Sequence, residues 1–208
     1  MTEGTAPQEI LVATGNRGKF AEFERLLGSF TLRRQDEFEL LPAEETAPSF
    51  VENAILKARA ASAQTGLAVL ADDSGLAVTA LGGAPGVRSA RFAADAGVSF
   101  AEEDRDAANR QQLLEALRGV PSGERQAAFH CALVLLRHAE DPIPIIAEGV
   151  WRGEILEVER GHGGFGYDPL FNVPEYGCSA AELEAEVKNA ISHRGLATQA
   201  LLRRLADA

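Results

Sequence analysis

The sequence has few of the residues that typify extracellular, metal-clustered or membrane proteins. Its 208 residues include only two cysteines, Cys131 and Cys178, and their separation fits neither a zinc motif nor a redox pair. No apolar run approaches the roughly 20 residues that a membrane span requires. The polar, acidic N-terminus MTEGTAPQE is unlike a signal peptide. We therefore expect a soluble cytoplasmic protein with reduced thiols and no membrane partner.

Basic residues are also scarce, and this limits the partners. Lysine and arginine number 20 against 31 acidic residues, a net charge of −11. Such a balance argues against a nucleic acid polymer as partner, whereas a local basic cluster can still hold a small phosphorylated ligand. Apolar residues make up 46% and charged residues 25% of the chain, which is typical of a globular protein. We expect one domain over 1–208, with residues 1–8 as a flexible tail.

The hydrophobic pattern predicts a mixed α/β fold, in which a twisted sheet of mixed direction carries helices on its faces. The N-terminal segment EILVAT reads as a short buried strand that leads through a loop into a helix. A strong amphipathic helix is predicted over 49–65, with Ser49 as N-cap and Gly66 as C-cap. Further strands are predicted at 31–35, 126–138, 143–151 and 154–159, and further helices at 101–117 and 195–206.

Two adjacent aspartates interrupt an apolar run in LAVLADDSGLAV, for which we expect strand, turn and strand over 67–79. Like charges this close raise each other's pKa unless a positive group lies nearby. A lysine, a helix N-terminus or a metal ion could supply that charge. Together with Glu44 and Glu45, the pair Asp72 and Asp73 would suit Mg²⁺, which takes carboxylate oxygens and leaves places for phosphate. The alternative is a simple Asp-Ser-Gly turn.

The segment TGNRGK, residues 14–19, lies between a predicted strand and a predicted helix. Backbone N–H groups and the helix dipole favour an anion at such a position. The spacing is not that of a P-loop, and an ordinary tight turn with a solvated lysine is the alternative. In the long helix, Asn53 and Lys57 are four residues apart and share a face, so Lys57 is either a further phosphate contact or a surface lysine.

The glycine-rich segment GGFGYDP, residues 163–169, has the composition of a ligand-binding loop. Its glycines permit close backbone approach, and Phe165 and Tyr167 offer flat faces for stacking. Asp168 could accept hydrogen bonds from a ring edge. A plain glycine-rich turn is the alternative.

The segment KNAISHRG precedes the predicted last helix and holds three potential cations, Lys188, His193 and Arg194. In an acidic protein this cluster suggests contacts with phosphate or a base edge, although His193 and Arg194 could instead cap and solvate the helix. Carboxylates for a metal, several cations and an aromatic loop together suit the hydrolysis of a nucleoside triphosphate.

The blocks TGNRGKFAE, EETAPSFVENAILKA, ADDSGLAV, GGAPGVRSARF, GGFGYDPLF and ISHRG occur in one order over residues 9–205. In this the chain resembles the inosine/xanthosine triphosphate pyrophosphatases, the Ham1-like family. The resemblance implies an elongated two-lobed α/β fold with a central cleft. It also implies a homodimer that hydrolyses ITP, dITP and XTP, with Mg²⁺, to the monophosphate and pyrophosphate.

The resemblance also implies roles for individual residues. Asp73 would be the general base or the metal-bound carboxylate that orients water, with Ser74 beside the substrate and Glu45 or Glu44 as a further metal ligand. The triphosphate would be held by Thr14, Gly15, Asn16, Arg17, Gly18 and Lys19. The base pocket would comprise Phe165, Gly166, Tyr167, Asp168, Lys188, His193 and Arg194. Two alternatives are a pyrophosphatase for modified pyrimidine nucleotides, like the Maf proteins, and a nucleotide sensor without catalysis.

Overall fold

The computed structural model describes residues 9–207, so the predicted tail 1–8 lies outside the described residues. A seven-stranded sheet of mixed direction has the order β2-β1-β3-β4-β5-β6-β7. Its strands are β1 Glu9–Val12, β2 Thr31–Arg34, β3 Ala68–Val78, β4 Gln126–Leu136, β5 Ile145–Ile155, β6 Phe171–Val173 and β7 Cys178–Ser179. The α-helices are α1 Arg17–Leu26, α2 Phe50–Thr65, α3 Phe92–Asp95, α4 Arg105–Ala116, α5 Ala185–Ile191 and α6 His193–Ala206. The predicted mixed α/β class is confirmed.

The chain divides into two compact units, of which unit 1 comprises the described residues 9–74, 131–149 and 193–207. Here β1 pairs in parallel with both β2 and β3, and both of its faces are covered. Ile10 and Val12 pack in a core with residues of α1 and α6, whereas Leu11 packs in a second core with residues of α2. Burial on both faces explains why β1 is apolar without alternation.

Unit 2 comprises residues 75–130 and 150–192. Its core joins residues of β3, β4, β5 and α4. Three aromatic rings lie at its centre: the Phe171 ring is 4.7 Å from that of Phe129 and 4.9 Å from that of Trp151, between centroids. Tilted rings at this spacing interact favourably beyond the area that they bury. The helices α4 and α5 and the glycine-rich segment 163–168 belong to this unit.

The long amphipathic helix was predicted to within one residue, because its end signals are strong. Ser49 accepts the N–H of Glu52 as N-cap, and Gly66 ends the helix with φ 71°, a conformation that favours glycine. The predicted helix 101–117 is α4 with a 3-10 turn before it. In the part of the chain that the structure describes, no helix is long and apolar enough to cross a membrane.

Three predictions of secondary structure were wrong. Residues 67–79 do not form two strands joined by an acidic turn, because β3 is continuous through Asp72 and Asp73. The two strands expected at 143–151 and 154–159 are the single strand β5. The last helix begins at His193, so His193 and Arg194 lie in its first turn and not ahead of it.

Candidate active site

The strand β3 separates the two adjacent aspartates, since successive side chains of a strand point to opposite faces. Asp72 points toward cations of α1 and α6: its Oδ2 is 2.9 Å from Lys19 Nζ and 3.1 Å from Arg194 Nη2. Asp73 instead meets Asn53 and Lys57 of α2. Two carboxylates can therefore stand side by side in a buried strand, because each has its own partners.

Asp72 belongs to a buried charged cluster in unit 1. Arg194 is 1% exposed, and its guanidinium also donates to Glu22 Oε2 at 2.5 Å and to Ser74 Oγ at 3.0 Å. Burial alone would raise the pKa of Asp72, but the charges of Lys19 and Arg194 outweigh it and hold that pKa well below its usual range. Of the positive groups that the sequence left open for this aspartate, the structure places a lysine and an arginine, Lys19 and Arg194, beside it.

Lys57 lies between two of the predicted metal ligands. Its Nζ is 3.2 Å from Asp73 Oδ1 and 3.4 Å from Glu45 Oε1. Glu44 is exposed, whereas Glu45 is half-buried and shares the Lys57 Nζ with Asp73. The alternative of a solvated surface lysine at position 57 is wrong, because the side chain is largely buried against carboxylates.

Burial is the largest influence on the pKa of Asp73 and raises it. The Lys57 ammonium opposes this shift and the Glu45 carboxylate adds to it, so the net pKa of Asp73 is higher than usual. Burial alone would lower the pKa of Lys57, but the nearby Asp72, Asp73 and Glu45 raise it overall. Lys57 therefore remains a cation, and Asp73 is a carboxylate with an enhanced affinity for protons, which is what a general base requires.

Asn53 joins the Glu45 loop to Asp73. Its Oδ1 accepts the Ala47 N–H at 2.9 Å, and its Nδ2 donates to the Ala47 carbonyl at 3.2 Å and to Asp73 Oδ2 at 3.2 Å. The side chain is 1% exposed. The Asn53 side-chain amide thus fixes the backbone of Ala47, two residues after Glu45, relative to Asp73.

The segment 14–19 leads into the N-terminus of α1, as the sequence predicted. Asn16 is the N-cap and accepts the Lys19 N–H at 3.0 Å, and its own N–H donates to Thr14 Oγ1 at 3.2 Å. Gly15 and Arg17 are exposed and Gly18 is half-buried. The first N–H groups of a helix lack partners within the helix and favour an anion. The alternative of a solvated lysine is wrong for Lys19, which contacts Asp72.

The segment 163–168 of unit 2 is held from within by Asp168. Its Oδ2 accepts the Phe165 N–H at 2.9 Å and the Lys188 Nζ at 2.7 Å. The same Lys188 Nζ is 5.0 Å from the centroid of the half-buried Phe165 ring. An aromatic face, a buried carboxylate and a cation are thus gathered at one point, as a site for a planar polar ring requires.

One expected feature of this segment is corrected. Tyr167 does not offer a flat face for stacking, because its ring is 4% exposed and belongs to the core of unit 2. Its hydroxyl donates to the Ser89 carbonyl at 2.8 Å. Burial raises the pKa of Tyr167 well above its usual value, and the charge of Asp106 adds to the rise. Tyr167 therefore anchors the segment and remains a protonated phenol.

The cations of KNAISHRG do not form a single cluster within one unit. Lys188 is on α5 of unit 2 and contacts Asp168, whereas Arg194 is on α6 of unit 1 and contacts Asp72. His193 is buried in the first turn of α6. A direct role for His193 and Arg194 in a base pocket stays a prediction.

Four charged or amide residues that contact the candidate site had no distinctive signal in the sequence. Glu22 lies in a helical pattern that suits a solvated acid, and Asp106 and Arg110 are four apart like an ordinary surface ion pair. Asn53 was recognised only as a neighbour of Lys57 on one helix face. Their contacts are made with residues distant in sequence, which local spacing does not reveal.

The residues present fit a divalent cation of the Mg²⁺ type. Among residues 9–207 there is no group of three or more His, Cys, Asp or Glu side chains that could hold a metal ion. Mg²⁺ is commonly bound by one or two carboxylates together with substrate phosphates. Asp73 and Glu45 approach the same Lys57 Nζ, so two carboxylates are available near one point.

The mixed sheet with helices on its faces, and the segment 14–19 at the N-terminus of α1, define an α/β protein with a position suited to an anionic ligand. Comparison with known proteins identifies which α/β family this is. The model of the Ham1 family matches residues 10–204, and the chain belongs to that family.

Individual relatives are similar to this chain over almost their whole length. A protein of Pseudomonas syringae pv. tomato named dITP/XTP pyrophosphatase is 54% identical, over 95% of this chain and 96% of its own. A structure of a HAM1 protein from Coxiella burnetii is 48% identical with a TM-score of 0.84, covering 96% of this chain and 99% of its own. The Staphylococcus aureus Ham1 protein is 37% identical with a TM-score of 0.81, covering 96% and 98%. The resemblance stated from the sequence blocks is confirmed.

Proposed function

We propose that this protein is a hydrolase that converts the purine nucleoside triphosphates ITP, dITP and XTP to the monophosphate and pyrophosphate. The observation that carries the proposal is the pairing of Asp73 and Glu45 around Lys57, in the unit that also holds the 14–19 loop. The names of relatives at 54% and 53% identity, dITP/XTP pyrophosphatase, support the substrate class.

In this proposal the groups of unit 1 act on the triphosphate. The N–H groups at the start of α1 and the ammonium groups of Lys19 and Lys57 neutralise phosphate charge, which is the main requirement of phosphoryl transfer. Asp73 takes a proton from the attacking water. The water oxygen forms a bond to the α-phosphorus of the triphosphate. The anhydride bond between the α- and β-phosphates breaks, and pyrophosphate leaves.

Mg²⁺ held by Asp73 and Glu45 would supply further neutralisation of phosphate charge when bound. Asn53 keeps these two carboxylates in register through its bonds to Ala47 and Asp73. Arg194, which pairs with Glu22, keeps Asp72 ionised together with Lys19, so that the Asp72 carboxylate can hold Lys19 in place.

In the same proposal the 163–168 segment of unit 2 takes the base. Hypoxanthine and xanthine carry a 6-oxo acceptor, which suits a donor such as Lys188, whereas adenine carries a 6-amino donor that cannot accept a hydrogen bond from the lysine. A buried polar group rejects a ligand that cannot satisfy it by a large factor. Phe165 would support the ring face.

Pyrophosphate release tests the proposal, measured on ITP, XTP, dITP, GTP, ATP and dTTP with and without Mg²⁺. Rapid release limited to ITP, XTP and dITP and dependent on Mg²⁺ is expected. Preference for dTTP or other pyrimidine nucleotides would favour the Maf-like alternative, and binding without turnover would favour a sensor. Release of orthophosphate in place of pyrophosphate would contradict the proposed cleavage.

The expected homodimer and cytoplasmic location are also proposals, and they rest on the family resemblance. Sedimentation of the purified protein tests the first, with a mass of twice 22.1 kDa expected. Fractionation of the cells that produce it tests the second. Failure to bind single- or double-stranded DNA or RNA at physiological salt is expected from the net charge of −11.

A further inference from the structure

Helix α4 holds one residue of the 163–168 segment, Gly166, through both of its backbone polar groups. Asp106 Oδ2 accepts the Gly166 N–H at 2.8 Å, and Arg110 Nη1 donates to the Gly166 carbonyl at 3.0 Å. Residues four apart share one face of a helix, so this face of α4 presents an acceptor and a donor together. Both backbone polar groups of a single glycine are satisfied by charged side chains.

The segment needs such support because its own backbone is weakly constrained. Gly164 and Gly166 have φ values of 71° and 61°, in the left-handed region that favours glycine. Glycine loses the most conformational freedom on ordering, and neither residue lies in a strand or helix. Hydrogen bonds to charged groups are stronger than those between neutral groups, so the bonds from Asp106 and Arg110 are suited to fixing the backbone of Gly166.

The gripping side chains are themselves held in place. Arg110 Nε lies 2.9 Å from Glu159 Oε1, and the Arg110 side chain is 16% exposed. The hydroxyl of Tyr167, the residue after Gly166, donates to the Ser89 carbonyl. The backbone conformation at Gly166 is therefore set by a connected series of contacts within unit 2.

Phe165 lies between this grip and the contacts of Asp168. Its own N–H donates to Asp168 Oδ2, and its ring lies 5.0 Å from Lys188 Nζ. The peptide that follows Phe165 ends in the Gly166 N–H that Asp106 binds, and Arg110 binds the Gly166 carbonyl one peptide further on. The position of the Phe165 ring relative to Lys188 and Asp168 thus depends on the conformation at Gly166.

We propose that Asp106 and Arg110 are positioning residues that order the 163–168 segment and thereby determine selectivity for the purine base. This inference rests on the proposed function, in which that segment takes the base. Neither residue contacts the substrate in this account. Their effect is to hold Phe165, Lys188 and Asp168 in one arrangement before binding, which lowers the ordering cost of recognition.

The test compares the full-length wild type with Asp106→Ala, Arg110→Ala and the conservative Asp106→Asn. Arg118→Ala is the matched control, since Arg118 is a 78% exposed arginine just beyond α4 that pairs only with Glu115 among the described residues. Three quantities are measured: hydrogen exchange of the Gly166 amide, kcat and KM for ITP and ATP, and inhibition by inorganic tripolyphosphate, which has no base.

In Asp106→Ala we expect Gly166 exchange to accelerate about tenfold or more. The KM for ITP should rise about tenfold with kcat little changed, and the ratio of kcat/KM between ITP and ATP should fall. Inhibition by tripolyphosphate should stay at the wild-type value. Asp106→Asn keeps an acceptor, so its Gly166 exchange rate and KM for ITP should lie between those of the wild type and Asp106→Ala. Arg110→Ala should change these quantities in the same direction as Asp106→Ala. Arg118→Ala should give the wild-type values.

Wild-type hydrogen exchange of the Gly166 amide in Asp106→Ala would overturn the claim that α4 orders the 163–168 segment. Faster exchange with an unchanged ITP KM and ITP:ATP ratio would overturn the role in selectivity, as would an equal loss of tripolyphosphate binding. A wild type that releases no pyrophosphate would overturn the proposed function and with it the role in selectivity. The exchange result would then still decide whether α4 orders the segment.

Discussion

Asn53 donates a hydrogen bond from Nδ2 to Asp73 Oδ2 at 3.2 Å while the same amide binds both backbone polar groups of Ala47. One side chain of α2 thus joins the loop that carries Glu45 to the strand that carries Asp73. A residue that orients metal ligands without touching the metal commonly affects activity as strongly as a weak ligand does.

Asn53→Ala is therefore expected to lower kcat/KM for ITP by about 10- to 100-fold and to raise the Mg²⁺ concentration needed for half-maximal rate. Gln64→Ala is the matched control. Gln64 binds the Leu41 N–H and carbonyl in the same paired manner, but within residues 9–207 it makes no hydrogen bond with Asp73. Equal losses of activity in the two variants would show that Asn53 acts only on the stability of the loop.

Lys188 forms a buried ion pair with Asp168 at 2.7 Å. Lys188→Met should raise the KM for ITP and should lower the free energy of unfolding by about 3–5 kcal/mol, because it removes the cation that faces a buried carboxylate. The double variant Lys188→Met with Asp168→Asn removes both charges and should regain much of that stability. Thermal unfolding and ITP kinetics of both variants check this. A double variant with wild-type KM for ITP would remove Lys188 from base recognition.

Asp141 stabilises unit 1 mainly at neutral pH. Hydrogen bonds from the Arg137 side chain, aided by the Arg137 and Ile143 N–H groups, hold the pKa of Asp141 well below its usual range. A carboxyl with a depressed folded-state pKa contributes stability above its unfolded pKa of about 3.9 and loses it as the pH falls below that value. Asp141→Asn should therefore cost about 1–3 kcal/mol at pH 7.

The destabilisation by Asp141→Asn should shrink steadily as the pH falls below about 4. Denaturant unfolding of both proteins between pH 3 and pH 7 measures it. The neighbouring exposed Glu140 offers a control, because Glu140→Gln should not change the unfolding free energy appreciably at any pH. A destabilisation by Asp141→Asn that did not vary with pH would contradict the assignment.

Gly149 allows β5 to lie close to α6. A Cβ at this position would be 2.1 Å from the His193 carbonyl oxygen and 2.5 Å from the Ala197 nitrogen. Both are backbone atoms that cannot rotate away, so Gly149→Ala should cost about 1–3 kcal/mol or more. Gly123→Ala, where no atom lies within 4 Å, should be nearly neutral. Similar melting temperatures for the two variants would contradict the close packing.

The fold could be predicted where local signals are complete. Ser49 and Gly66 define the ends of α2 by capping chemistry alone, and the uninterrupted apolar residues of β1 indicate burial on both faces. The acidic stretch in β3 misled the prediction because adjacent carboxylates resemble a turn. Only the tertiary structure supplies the two separate sets of partners, Lys19 with Arg194 and Asn53 with Lys57, that permit a continuous strand there.

The candidate site was predictable to a similar degree. Motif blocks identified Asp73, Lys19 and the 163–168 segment, since short loops keep their own residues together. They could not separate Glu45 from Glu44, and they gave Tyr167 a stacking role that its burial in the core excludes. The contacts of Glu22, Asp106 and Arg110 join segments far apart in the chain, so the local spacing of residues could not predict them.

Pyrophosphate release from ITP in the presence of Mg²⁺, by wild type and by Asp73→Asn, tests the central claim most directly. The account predicts rapid release by the wild type and a loss of about 10²- to 10⁴-fold in the variant, with ITP still bound. The exposed Glu103 provides a control, and Glu103→Gln should act like the wild type. Hydrolysis by Asp73→Asn at the wild-type rate would contradict the account, because Asp73 would then have no part in the reaction.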